Sequence, residues 1–157
     1  MTPVLVDEIE AELSNMQVAV VTTARLLEKV QQTGDEDYLG SIALNLQSFY
    51  TGVERLFITV AKTVDEIVPT GDSWHQQLIN QMAIALPAVR QPVISARTQT
   101  ALDEFRRFRH VVRSHYAYQL DPDRVKDLAE KLFKVSSWFV QDCEQFCQSL
   151  GQADQPS

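Results

Sequence analysis

The chain has 157 residues, of which 45% are hydrophobic and 22% charged, the make-up of one globular domain large enough to bury a real core. A net charge of −7 and a pI near 4.9 argue against a protein that coats nucleic acid over its whole surface, though not against a focused basic cleft. No apolar run approaches the ~18 residues of a membrane span, and Asp7, Glu8, Glu10 and Glu12 stand where a secretory signal would be basic, so a cytoplasmic protein without membrane attachment is expected.

Ile9, Leu13, Met16, Val20, Leu27 and Val30 recur at helical spacing and predict an amphipathic helix over about residues 4–32. Gly34 ends it, and Asp35 caps a second helix whose first turn carries Glu36 and Asp37, as the helix dipole favours. That second helix, about residues 36–67, is more apolar, through Leu39, Ile42, Leu46, Phe49, Tyr50, Val53, Leu56, Phe57, Val60 and Val64. Two such helices joined by a short turn form a hairpin that needs a further layer to cover it. Glu54 and Arg55 interrupt the apolar pattern. Glu54 reads either as an exposed or salt-bridged acid or as a partner for arginines further along the chain.

Pro69 and Gly71 break the second helix, and Asp72 or Ser73 caps a shorter one that reaches about residue 85 through Leu78, Ile79 and Met82. At its start Trp74 reads as an anchor pinning the loop to the bundle, and His75 as a surface or capping histidine. Residues 86–95, with Pro87 and Pro92, read as a loop. A helix over about residues 98–115 follows. Asp121, with Pro122 at the first helical position, then caps a last helix whose stripe is Val125, Leu128, Leu132, Val135, Phe139, Cys143, Phe146 and Leu150. With no strand pattern or repeat, the expected fold class is all-α: an up-and-down bundle of four long helices plus one shorter helix over residues 1–150, then a polar tail over residues 151–157. Cys143 and Cys147 read as reduced packing residues, and no Cys or His pair elsewhere has ligand spacing, so neither a metal nor another cofactor is expected.

The stretch FRRFRHVVRSHYAYQLD from Phe105 to Asp121, in and just past the helix over about residues 98–115, reverses the sign of the chain locally. It holds Arg106, Arg107, Arg109 and Arg113 with His110, His115, Tyr116 and Tyr118, and no acid before Asp121. At about 100° per residue and with Arg109 at zero, Arg113 falls near +40°, Arg106 near +60°, His110 near +100° and Tyr116 near −20°. Phe105, Phe108 and Val112 share the opposing side and read as the buried stripe. His115 projects near that apolar side, at about −120°, if the helix stays regular, while Ser114 holds the position facing Arg109 one turn on. Guanidinium groups cannot be buried without partners, so this face meets water, an acidic surface or an anion such as phosphate. A solvated arginine face carrying no chemistry is equally compatible with the composition.

Two segments, FYTGVERLFITVAKTVDEIVPTGDSWHQQL over residues 49–78 and FRRFRHVVRSHYAYQLDPDRV over residues 105–125, resemble the HepT-like branch of the HEPN superfamily. That superfamily's signature is an arginine, a polar residue, a histidine four to six residues past the arginine, and often a tyrosine two residues later. In these terms Arg109 is the arginine, His110 its polar neighbour, Ser114 stands at the commonest histidine position, His115 satisfies the looser spacing, and Tyr116 lies where the tyrosine would.

The resemblance implies a homodimeric, metal-independent ribonuclease toxin of a two-gene, type VII-like toxin–antitoxin module. Arg109 would stabilise charge on the phosphate, His115 or His110 would act as acid or base on the ribose 2′-hydroxyl or the leaving oxygen, and Arg106, Arg113 and Ser114 would hold RNA. The implied partner is an MNT-type nucleotidyltransferase antitoxin, with Tyr116 the candidate for adenylylation. Two other classes remain open. One is a catalytically degenerate module that binds RNA, a nucleotide or a partner protein, since serine at Ser114 cannot shuttle a proton near pH 7. The other is a helical interaction subunit docking on an acidic partner.

Overall fold

In the computed structural model, which describes residues 2–116 and 119–153, five helices follow one another: α1 (Thr2–Thr33), α2 (Leu39–Val60), α3 (Trp74–Met82), α4 (Ala96–Ser114) and α5 (Pro122–Ala153). Among the described residues there is no strand, only an isolated bridge between Leu86 and Arg90. The expected all-α bundle of four long helices and a short one is what forms. No helix of the described residues is long and apolar enough to cross a membrane.

The α1–α2 hairpin turns at Gly34, whose φ of 70° is costly for a residue with a Cβ and whose N–H closes the first helix on the Val30 carbonyl at 2.8 Å. Asp35 caps a single 3₁₀ turn, Glu36–Tyr38, by accepting from the Asp37 N–H. At the middle of the hairpin the helices approach closely at Gly52, where a Cβ would lie 2.4 Å from Met16 Cγ. The predicted stripes supply the core: Ile9, Met16 and Val20 from α1, Ile42, Leu46, Phe49, Val53 and Phe57 from α2, Leu128, Leu132, Phe139 and Phe146 from α5. Edge-to-face ring pairs tie the layers together, Phe49 with Phe105 of α4 at 5.6 Å and Phe57 with Phe139 of α5 at 5.8 Å. Cys143 is buried and Cys147 half-buried, both as free thiols, and burial pushes both up from the ordinary thiol range, which keeps them protonated.

Several expected boundaries move. The second helix does not stay α-helical to residue 67: after Val60 it widens into a π turn, Ala61–Asp65, stopped by Glu66 in the left-handed region at φ 58°. The third helix ends at Met82, and the side chain of Ser73 makes no cap hydrogen bond to it. The fourth begins two residues earlier than expected because Ser95 caps it, accepting from the Thr98 N–H while donating to Asp142 at 3.0 Å. It ends at Ser114, so His115 lies outside it with extended backbone. The last helix reaches Ala153, into the stretch expected as tail, while residues 154–157 lie outside the described residues.

Candidate functional site

Between the start of α3 and the C-terminal half of α4 lies a cleft of about 530 Å³. The chain reaches it through the turn that Pro69 and Gly71 make after α2, with Gly71 at φ 96° and its carbonyl accepting from the Trp74 N–H at 3.3 Å. One wall is Asp72, Ser73, His75 and Gln76, and the other is Arg106, Arg109, His110, Arg113 and Ser114. The helical wheel therefore places the basic face correctly, with Arg106, Arg109, His110 and Arg113 on one surface. Arg107 falls on another, 60% exposed and 3.6 Å from Asp103.

Beneath these walls sits Glu54 of α2, 5% exposed. Its two carboxylate oxygens face different partners: Oε1 lies 3.5 Å from Arg109 Nη1, and Oε2 pairs with His75 Nδ1. Arg109 is held at a second point, its Nε donating to Thr51 Oγ1 at 3.3 Å, and its side chain is 16% exposed. His75 is held at a second point too, its ring stacked on Trp74 with centroids 3.6 Å apart. A carboxylate this deeply buried requires such partners, and in return it fixes both. Glu54 is thus salt-bridged rather than exposed, and its arginine belongs to the basic face, so the salt-bridged reading and the arginine-partner reading describe one contact.

Around this centre the other arginines are less constrained. Arg106 Nε donates to Asp103 Oδ1 at 2.7 Å, one helical turn back. Tyr50, one turn before Glu54, buries a hydroxyl that has no hydrogen-bond partner among the described residues. Burial pushes its phenol far above the ordinary range and the Glu54 charge adds to the shift, with Arg106 and Arg109 opposing it.

The signature residues divide. Ser114 lines the cleft with its hydroxyl donated to the His110 carbonyl at 2.8 Å. His115, exposed and just past the helix end, has Nδ1 3.0 Å from the Val111 carbonyl and is not among the cleft-lining residues. Tyr116 is 70% exposed, with its N–H donated to Gln119 Oε1 at 2.9 Å. Tyr118 lies outside the described residues.

His75 is the cleft residue that the sequence reading passed over as a surface or capping histidine. Its partner is 21 positions away in sequence, so no local pattern marks it. Glu54 did carry a signal: it falls about 40° from Tyr50 and about 60° from Phe57 on the helical wheel, within the apolar stripe, where an acid demands a cation. No group of three or more His, Cys, Asp or Glu among the described residues is placed to hold a metal ion.

Residues 41–150, which include every residue of the cleft, match the family model described as HepT-like protein. No curated protein matches the chain significantly, and no solved structure does.

Proposed function

This chain belongs to the HepT-like family, and on that premise we propose that it is the toxin of a two-gene toxin–antitoxin module, a metal-independent endoribonuclease working at the α3–α4 cleft. The observation that carries this reading is the anchoring of Arg109. Its guanidinium is fixed by Glu54 and Thr51 before any ligand arrives, which is the preorganisation that stabilising a developing phosphate charge requires. Arg106 and Arg113 flank it on the same helix and suit the neighbouring phosphates of a single strand. Proton transfer falls to a histidine, with His110 in the cleft and His115, one residue past the cleft-lining Ser114, as the signature's candidates.

The active form in this proposal is a homodimer whose two clefts face one RNA, and the partner is a nucleotidyltransferase antitoxin. Exposure of Tyr116 near the end of α4 supports adenylylation there, which would add negative charge close to Arg113.

The test is incubation of the purified protein with mixed-sequence RNA in chelator, beside Arg109→Ala. Cleavage is expected from the wild type and about 10²–10³-fold less from the variant, scored per folded molecule because losing a partner of buried Glu54 also lowers the variant's melt. A second reading, an RNA-binding module without cleavage, is favoured by Ser114 at the usual histidine position and by His115 being bonded to its own helix end. Intact RNA from a wild type whose intact mass excludes an adenylyl group, with binding that falls steeply with salt, would select it.

A further inference from the structure

The cleft contains a second histidine that the family signature does not include, and it is better placed for chemistry than either signature histidine. His75 comes from α3, on the wall opposite Arg109. Its Nδ1 is taken by the Glu54 carboxylate and one ring face by Trp74, so Nε2 is the nitrogen left for a ligand. The side chain is 29% exposed, enough for that edge to be reached. An imidazole whose Nδ1–H donates to a buried carboxylate has its Nε2 lone pair available as a base, and the carboxylate then stabilises the imidazolium that forms. The same carboxylate also positions Arg109, so proton acceptor and phosphate stabiliser are fixed to one group. His115, by contrast, is tied to the carbonyl one turn before it at the exposed helix end.

We infer that His75 is the general base of the cleft and Glu54 its positioning residue, an assignment that rests on the ribonuclease reading. Nε2 of neutral His75 takes the proton of the ribose 2′-hydroxyl, and the freed electron pair on O2′ forms the O2′–P bond. The P–O5′ bond breaks with its pair leaving on O5′, which takes a proton from the His110 imidazolium in the same cleft. Arg109 neutralises the charge on the non-bridging oxygens meanwhile. The products are a 2′,3′-cyclic phosphate and a 5′-hydroxyl, and water returns each imidazole to its starting protonation. Atoms and charge balance without a metal or oxidant. In this scheme the two histidines that line the cleft supply the two proton transfers, and a serine at Ser114 costs the protein nothing catalytic.

The experiment compares the full-length wild type with His75→Ala, His115→Ala and Arg109→Ala on mixed-sequence RNA in chelator, with product ends mapped and each variant melted. His75→Ala is expected to lose about 10²–10⁴-fold in rate, and added imidazole is expected to restore part of it, more at higher pH as the neutral form grows. A purely structural histidine would give no such rescue. His75→Gln, which keeps a hydrogen-bond donor toward Glu54, serves if the alanine variant melts early; it should fold and remain inactive. Retained cleavage in folded His75→Ala or His75→Gln, with Arg109→Ala inactive, overturns the assignment and leaves the ribonuclease reading standing. So does a folded, inactive His75→Ala that imidazole does not rescue, or loss confined to His115→Ala. A wild type that cuts no RNA removes both.

Discussion

Two buried carboxylates on one helical segment each meet an arginine from further along the chain, Asp65 with Arg90 and Glu54 with Arg109. Asp65 and Arg90 have no side-chain exposure at all. Arg90 closes five hydrogen bonds, two to the Asp65 oxygens and one each to the carbonyls of Ile84, Gln91 and Gln81, which is the full donor set of a guanidinium. Gln81 adds a bond to Asp65 at 2.7 Å. Glu54, about three turns earlier, also has an arginine, but Arg109 keeps donors that no group among the described residues takes, and the second partner, His75, keeps a ring nitrogen without one among them. The difference is in what covers each acid. A loop folding back on itself, with Leu86 and Arg90 paired, lays its carbonyls around Arg90. His75 of the first turn of α3 and Arg109 of α4 lie over Glu54, and the space between those two walls stays open as the cleft. A closed set of bonds is architecture, whereas an incomplete one can accept a ligand.

The sharpest way to break this comparison is to cut the closed pair. Arg90→Ala leaves Asp65 buried and uncompensated and is expected to cost about 3–5 kcal/mol, which lowers the melting temperature by about 6–20 °C in a chain this long. Urea unfolding measures the first figure and calorimetry the second. On the proposed ribonuclease reading, cleavage per folded molecule should stay near wild type, because none of Arg90's hydrogen-bond partners among the described residues lines the cleft. A cost below about 1 kcal/mol would mean water reaches Asp65, and the contrast with Glu54 would collapse.

Neither end of this comparison could be read from the sequence to the same depth. The helices were legible because Phe105, Phe108 and the α2 stripe keep their period, and the same periodicity put Arg106, Arg109, His110 and Arg113 on one face. Arg90 was not, since it lies in an irregular segment whose only marks were Pro87 and Pro92. Periodicity says nothing about which carbonyls a loop will turn inward. His75 was hidden for the related reason that its role depends on Glu54, a contact made only once α3 docks. The departure at His115 came from the helix end, which local pattern locates only to within a residue or two.

Cutting the open pair should do less to stability and more to chemistry. Glu54→Gln keeps the shape and one acceptor but removes the charge that both Arg109 and His75 face. Since both partners can still reach water in the cleft, a loss of about 1.5–3 kcal/mol is expected, smaller than at Arg90. Cleavage should fall about as far as in His75→Ala if Glu54 positions the base. Equal stability losses at Glu54 and Arg90 would show that the cleft is no more open than the clamp.

The smallest effect is expected at Tyr50, and its sign tests how far the cleft's openness extends downward. Its buried hydroxyl has no partner among the described residues, so Tyr50→Phe should change stability at pH 8 by less than about 1 kcal/mol, toward greater stability if it changes at all. At high pH the two proteins should diverge. Burial raises the folded-state pKa of Tyr50, so once the pH passes the unfolded tyrosine's value of about 10 the unfolded chain releases a proton that the folded chain retains. Its contribution to stability is therefore intact below about pH 10 and falls as the pH rises beyond it, by about 1.4 kcal/mol at pH 11. Tyr50→Phe lacks that loss, so its advantage over the wild type should grow by this margin between pH 8 and pH 11. Parallel curves would mean that the phenol ionises in place, reached by water from the cleft and balanced by Arg106 and Arg109. The open site would then extend beneath Glu54, and Tyr50 would belong to the cleft rather than to the core.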